Sequence, residues 1–268
     1  MCLHHTAAPR SGFPRIRLIH HLVNYAAMPS RPASVVDFRP RDADRTREEI
    51  LRAAMAEFAD HGFGGARMEA IAERGKVDKK LIYYYFAGKD ELFLAVLEQS
   101  YADIRAAEHA LHLEASDPLR AIESLVAFTW DHYLRHPEFL ALLNSENLHR
   151  AGHLKRSRRI RQLNSPLIDV LAGVLARGEA DGTLRSGVDP MQLYISIAGL
   201  AYFYLSNKHT LGAVFGRDLM SADALAERLA HMTEVVLGYV RPPSATARKA
   251  RTVGTTRAAS SARTRRPA

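Results

Sequence analysis

Cationic and phenolic side chains are concentrated in one short segment of this 268-residue chain. Lys79 and Lys80 stand at the start of a predicted helix, where their ammonium groups can meet phosphates or base edges of a nucleic acid. Tyr83 and Tyr85 follow, and a tyrosine can bury its ring while its hydroxyl bonds a phosphate. Lys89 closes the segment. These residue types predict contacts to a nucleic acid rather than covalent chemistry.

Two short helices must position these side chains. In the first, Met68, Ile71 and Ala72 recur at the i, i+3, i+4 spacing of an amphipathic helix. Gly75 interrupts this helix, and Asp78 can cap the second by accepting hydrogen bonds from its first N–H groups. Two short helices joined by a tight turn form a helix-turn-helix, whose second helix enters the major groove of DNA.

The string IAERGKVDKKLIYYYFAGKDEL resembles the DNA-binding signature of TetR-family transcriptional regulators. An amphipathic helix over residues 46–61 precedes it, and Gly62-Phe63 is predicted to end that helix. The resemblance covers about residues 45–239, and its specific motif covers residues 45–94. It implies an all-α fold, with a three-helix helix-turn-helix head on a larger helical body for ligand binding and dimerisation.

The resemblance also assigns DNA-binding roles. It implies phosphate contacts for Tyr83, Tyr85 and Lys89, and base-facing positions for Lys79, Lys80 and Leu81. The chain departs from the family pattern at five positions: Ala66 and Arg67 replace a usual Thr or Ser, Lys76 replaces the turn glycine, Asp78 replaces a common Ser, and Lys80 replaces a small residue. Arg67 can still supply a phosphate contact through its charge. The alternative interpretation is a ligand- or metal-binding helical protein that no longer recognises DNA specifically.

Periodicity predicts which side chains fill the core of the head. Ile50, Leu51, Ala54 and Phe58 form the inward stripe of the helix over 46–61, with Glu57 on the outside. Phe86 is expected in the same core, together with either Tyr83 or Tyr84. In the last helix of the body, Tyr239 is expected to face inward with Leu225, Leu229, Met232 and Val236.

Composition divides the chain into four predicted segments. These are a disordered N-terminal extension (1–40), the helix-turn-helix domain (41–88), the helical body (89–240) and a disordered basic tail (241–268). The first segment carries a net charge of +4 and the tail +8, so the remaining residues carry −4 of the total +8. The basic pI of about 9.7 is therefore a property of the ends, and it favours non-specific attraction to DNA.

Several classes of protein are disfavoured. The single cysteine, Cys2, allows no intrachain disulfide, which fits a reducing cytoplasm. The longest apolar stretch, residues 191–205, is shorter than the roughly 20 residues that a membrane span needs. No phosphate-binding loop or nucleophile motif is present, so we predict neither an enzyme nor a cofactor. Translation can start at Met1 or at Met28, and the sequence leaves the choice open.

An effector pocket is predicted among the body helices, because a helical bundle can hold a ligand in its core. The candidates are polar and aromatic side chains: Trp130, Tyr133, Asn144, Asn147, Asn164 and Tyr194. For each of them the alternative is an ordinary core or interface residue. The string NSENLH over residues 144–149, with Asn164 and Pro166, is similar to the body of regulators related to the pyrimidine-catabolism repressor. The i, i+4 pair His132 and His136 has a metal-ligand spacing, but ordinary histidines are the preferred interpretation.

These observations predict a cytoplasmic, ligand-responsive regulator that binds double-stranded operator DNA. One recognition helix per chain implies a homodimer on a palindromic operator. We expect the dimer to form through the helices over 189–207 and 221–239, since the first is apolar on nearly all sides. The sequence favours a repressor, although an activator stays open. It does not identify the operator, the target genes or the effector.

Overall fold

The structure, a computed structural model, describes residues 40–243, apart from the side chains of residues 40–42, 164 and 165. Within this range the chain forms α-helices and two short 3₁₀ turns, with no strand, which confirms the all-α prediction. The helices are α1 (Pro40–Gly65), α2 (Met68–Gly75), α3 (Lys79–Tyr85), α4 (Lys89–His109), α5 (Pro118–Arg135), α6 (Pro137–Leu148), α7 (Arg158–Ala180), α8 (Pro190–Ser206), α9 (Lys208–Phe215) and α10 (Ala222–Val240). Met28, Cys2 and nearly all of the predicted extension and tail lie outside the described residues.

The head is built by α1, α2 and α3 around a small apolar core. Ile50, Ala54 and Phe58 are fully buried, so the predicted inward stripe of α1 is confirmed. The helix breaks at Gly62, whose φ of 65° and ψ of 175° lie outside the helical region and favour glycine. Phe63 then turns back, and its ring centroid lies 6.3 Å from that of Phe58. The predicted helix stop is therefore present.

Two local features set the geometry of the helix-turn-helix. Lys76 ends α2 in the left-handed conformation, with a φ of 52°. This is the position where the family usually has glycine, and a lysine there costs roughly 1–2 kcal/mol. Asp78 then caps α3, as predicted, because its Oδ1 accepts a hydrogen bond of 2.7 Å from the N–H of Lys80. At the start of α2, Arg67 makes no side-chain cap.

The helix α4 joins the head to the body. Its first half contributes Leu92, Phe93 and Val96 to the core of the head, while Ile104 lies in the core of the body. A helix of 21 residues is about 30 Å long, so a small tilt displaces the head considerably. Because the core of the head continues into α4, the domain boundary after residue 88 stays a prediction.

The body packs α5, α7, α8 and α10 around one apolar core. Sequence signals fix several helix starts: Asp117 precedes Pro118 and caps α5, and Ser221 caps α10. The predicted inward position of Tyr239 is wrong, since 46% of this residue is exposed at the end of α10. None of the helices between residues 40 and 243 is long and apolar enough to cross a membrane.

Candidate DNA-binding and effector sites

The two lysines at the start of the recognition helix α3 are in different surroundings: Lys79 is ion-paired, and Lys80 is exposed. The ammonium of Lys79 pairs with the carboxylate of Glu69 on α2, and it lies 5.7 Å from the ring centroid of Tyr83. The hydrogen bond to Glu69 raises the pKa of Lys79. Lys80 is exposed, and within residues 40–243 its side chain has no ion pair. The charge that remains available for a base or phosphate on this helix therefore belongs to Lys80.

The tyrosines of α3 are arranged differently from the prediction. Neither Tyr83 nor Tyr84 fills the core of the head: 46% of Tyr83 and 80% of Tyr84 are exposed. The core position belongs to Phe86, and Tyr85 packs partly against it. Seven residues of helix offer few buried positions, and Ile82 takes the central one. Tyr84 is thus an exposed aromatic side chain on the second helix of the helix-turn-helix, and not one of the residues that fill the core of the head.

The remaining predicted DNA contacts are the phosphate contacts Lys89 and Arg67 and the base-facing residue Leu81. The ammonium of Lys89 lies 5.0 Å from the ring centroid of Phe63 and 3.5 Å from the carbonyl oxygen of Gly64. Its half-buried stem is fixed by these contacts. Leu81 is also half-buried, whereas Arg67 is exposed at the start of α2.

Glu57 was predicted on the outside of α1, but the structure buries it to 3% exposure. One carboxylate oxygen accepts a hydrogen bond of 3.3 Å from the N–H of Arg67, and the other lies 3.0 Å from Nε of Arg74. The carboxylate of Glu57 therefore accepts a hydrogen bond from a backbone N–H at the start of α2, where no side-chain cap exists. Helical periodicity alone could not find it, because the partners of Glu57 come from the next helix.

The head and body meet at the C-terminal end of α6. There the N–H of Phe63 donates to the Oγ of Ser145 over 2.9 Å. Glu146, which is 1% exposed, accepts from the N–H groups of His153 and Leu154, and its Oε2 lies 2.8 Å from Nδ1 of His153. Nε2 of the same imidazole lies 3.4 Å from a carboxylate oxygen of Asp90 on α4. This cluster therefore connects α6 to the start of α4.

The predicted pocket residues are only partly brought together. Tyr133, Asn147 and Tyr194 line one cavity of about 330 Å³ among α4, α5, α6 and α8, which we call the tyrosine cavity. Asn144 lines a neighbouring space and accepts a hydrogen bond from the hydroxyl of Tyr202. Trp130 is instead buried in the core of the body, 5.7 Å from the ring of Tyr204. The side chain of Asn164 lies outside the described residues.

A second cavity, of about 320 Å³, lies between α4 and α7, and we call it the Arg–Glu cavity. Arg105 and Glu108 line it, with exposures of 8% and 3%. Burial raises the pKa of Glu108 to about 7, although the positive charge of Arg105 opposes that shift. The sequence analysis missed this pair. Its spacing of three residues on an amphipathic helix is the only signal that could have indicated it.

The histidines of the body form no metal site in the part of the chain described here. The rings of His132 and His136 lie 4.4 Å apart. Burial, followed by the charges of His136 and Arg135, lowers the pKa of His132 to about 4. Between residues 40 and 243, no three potential ligand side chains come together around a common point.

The fold and these sites define a helix-turn-helix protein with a helical regulatory body. The family description "Bacterial regulatory proteins, tetR family" matches residues 50–96, and "Tetracyclin repressor-like, C-terminal domain" matches residues 118–236. The HTH-type transcriptional repressor NicS of Pseudomonas putida is 41% identical over 203 residues, which span 76% of this chain and 96% of the relative. The chain belongs to the TetR family of bacterial transcriptional regulators.

Other relatives agree with this assignment. The HTH-type transcriptional regulator RutR of Escherichia coli is 28% identical over 204 residues, covering 76% of this chain and 94% of the relative. Among solved structures, the putative transcriptional regulator SCO4942 of Streptomyces coelicolor superposes with a TM-score of 0.57 at 23% identity, covering 74% and 99% of the two chains. The ketosteroid regulator KstR2 of Mycobacterium tuberculosis gives 0.55 at 20% identity, covering 74% and 95%. At these identities the structural likeness supports the fold.

Proposed function

We propose that this ligand-responsive regulator acts as a repressor in the cytoplasm and binds a palindromic operator as a homodimer. The observation that carries the proposal is the exposed face of α3, where Lys80 and the two tyrosines Tyr83 and Tyr84 project from a helix fixed by Asp78. A helix presented in this way fits the major groove. The relative NicS is named a repressor, which favours repression here too. The proposal assigns the chain no catalytic step.

Within the head, each side chain has a proposed role. Lys80, with Leu81 beside it, faces the bases, while Lys79 is held by Glu69 at the edge of the interface. Arg67, Tyr83, Tyr85 and Lys89 contact backbone phosphates, and Tyr84 joins them. Phosphate contacts supply affinity and depend on salt, whereas contacts to base edges supply sequence preference.

The proposed dimer interface is an apolar face on α8 and α10. On α8, Met191 and Ile195 are exposed four residues apart, and Phe203 is exposed eight residues after Ile195, so the three lie within about a third of the helix circumference. On α10, Val235 and Tyr239 are exposed four residues apart. Contiguous apolar surface of this kind is typical of a protein interface.

The two helices of this face are joined within the chain. A guanidinium N–H of Arg228 on α10 donates to the carbonyl oxygen of Leu200 on α8 over 2.7 Å. We propose that a second copy packed by two-fold symmetry contacts both of these neighbouring helices. Two heads related by the same symmetry favour a palindromic operator with half-sites one helical turn or more apart.

For the switch, we propose that an effector bound among the body helices changes the tilt of α4. Such a tilt would change the separation of the two recognition helices, which must enter successive major grooves. Substantial release of DNA requires a differential affinity of several kcal/mol between the two states. A disulfide across the dimer that fixes the spacing of the heads should make operator binding insensitive to the effector.

The alternative is a helical ligand-binding protein whose head no longer recognises DNA, as the unusual residues Ala66, Lys76 and Asp78 suggested. The local geometry favours a functional head. Ala66 is buried, Lys76 adopts the left-handed conformation that the turn requires, and Asp78 supplies the cap. The turn and the cap of α3 are therefore formed despite these departures.

Fluorescence anisotropy with DNA from upstream of the chain's own gene tests the proposal. The wild-type protein should bind this fragment more tightly than a scrambled fragment of the same length. Lys80→Ala should reduce this preference, by roughly 1–3 kcal/mol if the ammonium contacts a base. Lys79→Ala should have a smaller effect, and Lys208→Ala on α9 provides a control outside the head. Equal binding of both fragments by the wild type would favour the alternative.

A further inference from the structure

The Arg–Glu cavity contains buried polar atoms whose hydrogen-bonding capacity is unused. Nε of Arg105 lies 3.0 Å from Oε2 of Glu108, which is close enough for an ion pair. The alignment is nevertheless too poor for a hydrogen bond, and Nε and both carboxylate oxygens have no partner. Buried polar groups are almost always paired, so this set requires an explanation.

The position of Arg105 is fixed from the opposite side. One of its terminal N–H groups donates to the hydroxyl of Tyr194 over 2.7 Å, and its guanidinium lies 5.3 Å from the ring centroid of the same residue. Tyr194 lines the tyrosine cavity, so Arg105 stands between the two cavities. The guanidinium is therefore held in place, and its Nε remains available in the Arg–Glu cavity.

The walls of the cavity determine the rest of the chemistry. They are mostly apolar, with Leu113, Leu167 and Val170 among them, and they enclose about 320 Å³, which suits a ligand with a single ring. A donor and an acceptor lie side by side at one end. From these features we infer that the Arg–Glu cavity is the effector site and takes a small, uncharged ring compound carrying a primary or secondary amide. The inference rests on the proposed function, because it names the ligand class of that regulator.

An amide satisfies both orphaned groups at once. Its carbonyl oxygen accepts from Nε of Arg105, and its N–H donates to the carboxylate of Glu108. Above about pH 7, where Glu108 is ionised, the two side chains carry opposite charges that cancel, so a charged ligand would bring an uncompensated charge into a desolvated site. An anion would need Glu108 to take up a proton, and a cation would repel Arg105.

The position of this cavity links it to the head. Arg105 and Glu108 lie on the last turns of α4, whose first half packs in the core of the head. A ligand seated there presses directly on the helix whose tilt is proposed to set the spacing of the recognition helices. This coupling does not require the ligand to contact the lysines or tyrosines of α3.

The test compares four probes built on one benzene ring with the full-length protein in the absence of DNA, at about pH 8 so that Glu108 is ionised. Benzamide has the donor and the acceptor, N,N-dimethylbenzamide lacks the donor, benzoate is an anion, and benzamidine is a cation. Ligand-detected NMR should show saturable binding of benzamide at millimolar concentration or below, about tenfold tighter than the other three. Equal or tighter binding of benzoate or benzamidine would overturn the inference, as would the absence of benzamide binding.

A pair of variants assigns the binding to this cavity. Replacing both charges in Arg105→Met/Glu108→Leu should weaken benzamide about tenfold while toluene binding is retained, which also reports that the variant is folded. Glu123→Gln, an exposed residue of α5 outside the lining of this cavity, should leave benzamide binding within about twofold. Unchanged benzamide affinity in the double variant would place the site elsewhere and refute the inference.

DNA binding is measured separately, so that failure of the proposed function can be distinguished from failure of the inferred ligand class. If benzamide binds as expected but the chain shows no preference for any DNA, the proposed function fails while the ligand class stands. If the chain binds its operator but benzamide does not bind in the cavity, the inference fails and the proposed function stands.

Discussion

The N–H of Phe63 donates to the Oγ of Ser145 over 2.9 Å, which joins the turn after α1 to the C-terminal end of α6. These residues are 82 positions apart in the chain. Together with the Glu146–His153–Asp90 cluster, the bond attaches the head to the body outside the continuous helix α4. A regulator that transmits a tilt needs such an attachment, because a head held at one point could rotate freely.

We predict that Ser145→Ala weakens this attachment. The variant leaves the N–H of Phe63 without its partner, which should lower the free energy of unfolding by about 1–2 kcal/mol. Amide hydrogen exchange at Phe63 should accelerate accordingly. Ser196→Ala is the matched control, because the Ser196 hydroxyl bonds only within α8, to the carbonyl of Gln192. Unchanged exchange at Phe63 would show that the bond contributes nothing to the attachment.

Lys89→Ala should weaken binding to operator and random DNA by a similar factor. If the ammonium neutralises one phosphate, the slope of log K against log salt should become shallower by about one per subunit. Binding isotherms at several salt concentrations measure this slope. The change Lys208→Ala on α9 should leave it unaltered. A slope that is the same in Lys89→Ala and wild type would remove Lys89 from the interface.

Glu108→Gln should change how stability depends on pH. Burial raises the pKa of Glu108 to about 7, above its ordinary value of 4.5, so the folded chain binds more protons than the unfolded chain between these values. The free energy of unfolding of the wild type should therefore fall as pH rises through this range. Removing the carboxyl should eliminate roughly 2–3 kcal/mol of this fall.

Other titratable groups near Glu108 do not reverse the predicted fall of the free energy of unfolding with rising pH. Arg105 opposes the shift but does not cancel it, and burial raises the pKa of Tyr133 and Tyr194 away from this range. The lowered pKa of His132 stabilises the fold as pH rises from about 4 to 6.5, and this effect is common to both proteins. Denaturant unfolding from about pH 5 to about pH 8 makes the comparison. Parallel curves for wild type and variant would contradict the prediction.

Phe203→Arg and Ile195→Arg should each produce monomers that lose operator binding. Both side chains are more than half exposed on the proposed dimer face, so a charge there disrupts association without entering the core. Leu200 and Leu229 are less suitable for such a test, because they are half-buried and pack against the body core. Sedimentation measures the mass of each variant.

Val214→Arg is the control for this experiment. Val214 is 76% exposed on α9, outside the α8 and α10 face, and its replacement should leave the oligomeric state unchanged. Intact dimers of both Phe203→Arg and Ile195→Arg would refute the proposed face. Monomers of the control alone would move the interface to α9.

The sequence was sufficient to predict the parts of the fold that local rules govern. The cap at Asp78, the break at Gly62 and the helix start at Pro118 follow from the preferences of single residues. The inward stripe of α1 follows from its period. These features and the family motif together predicted the head and the all-α class.

Features that depend on another helix could not be predicted in this way. The burial of Glu57 depends on Arg67 and Arg74 of α2, and the importance of Ser145 depends on Phe63. The helix α9 was not predicted, although Leu211, Val214 and Phe215 recur at the i, i+3, i+4 spacing of a helix, and none of its residues is buried. The Arg–Glu cavity is formed when α7 packs on α4, so its polar pair appears on the sequence as two ordinary charged residues.

The central claim is that this chain selects DNA sequences through α3. Genome-wide immunoprecipitation of the chain, compared with its Lys80→Ala variant, tests that claim most directly. The account predicts sharp peaks over a shared palindrome, one of them near the chain's own gene, and altered or lost peaks in the variant. Broad, sequence-independent recovery of DNA, the same for both proteins, would show instead that only the basic ends attract DNA.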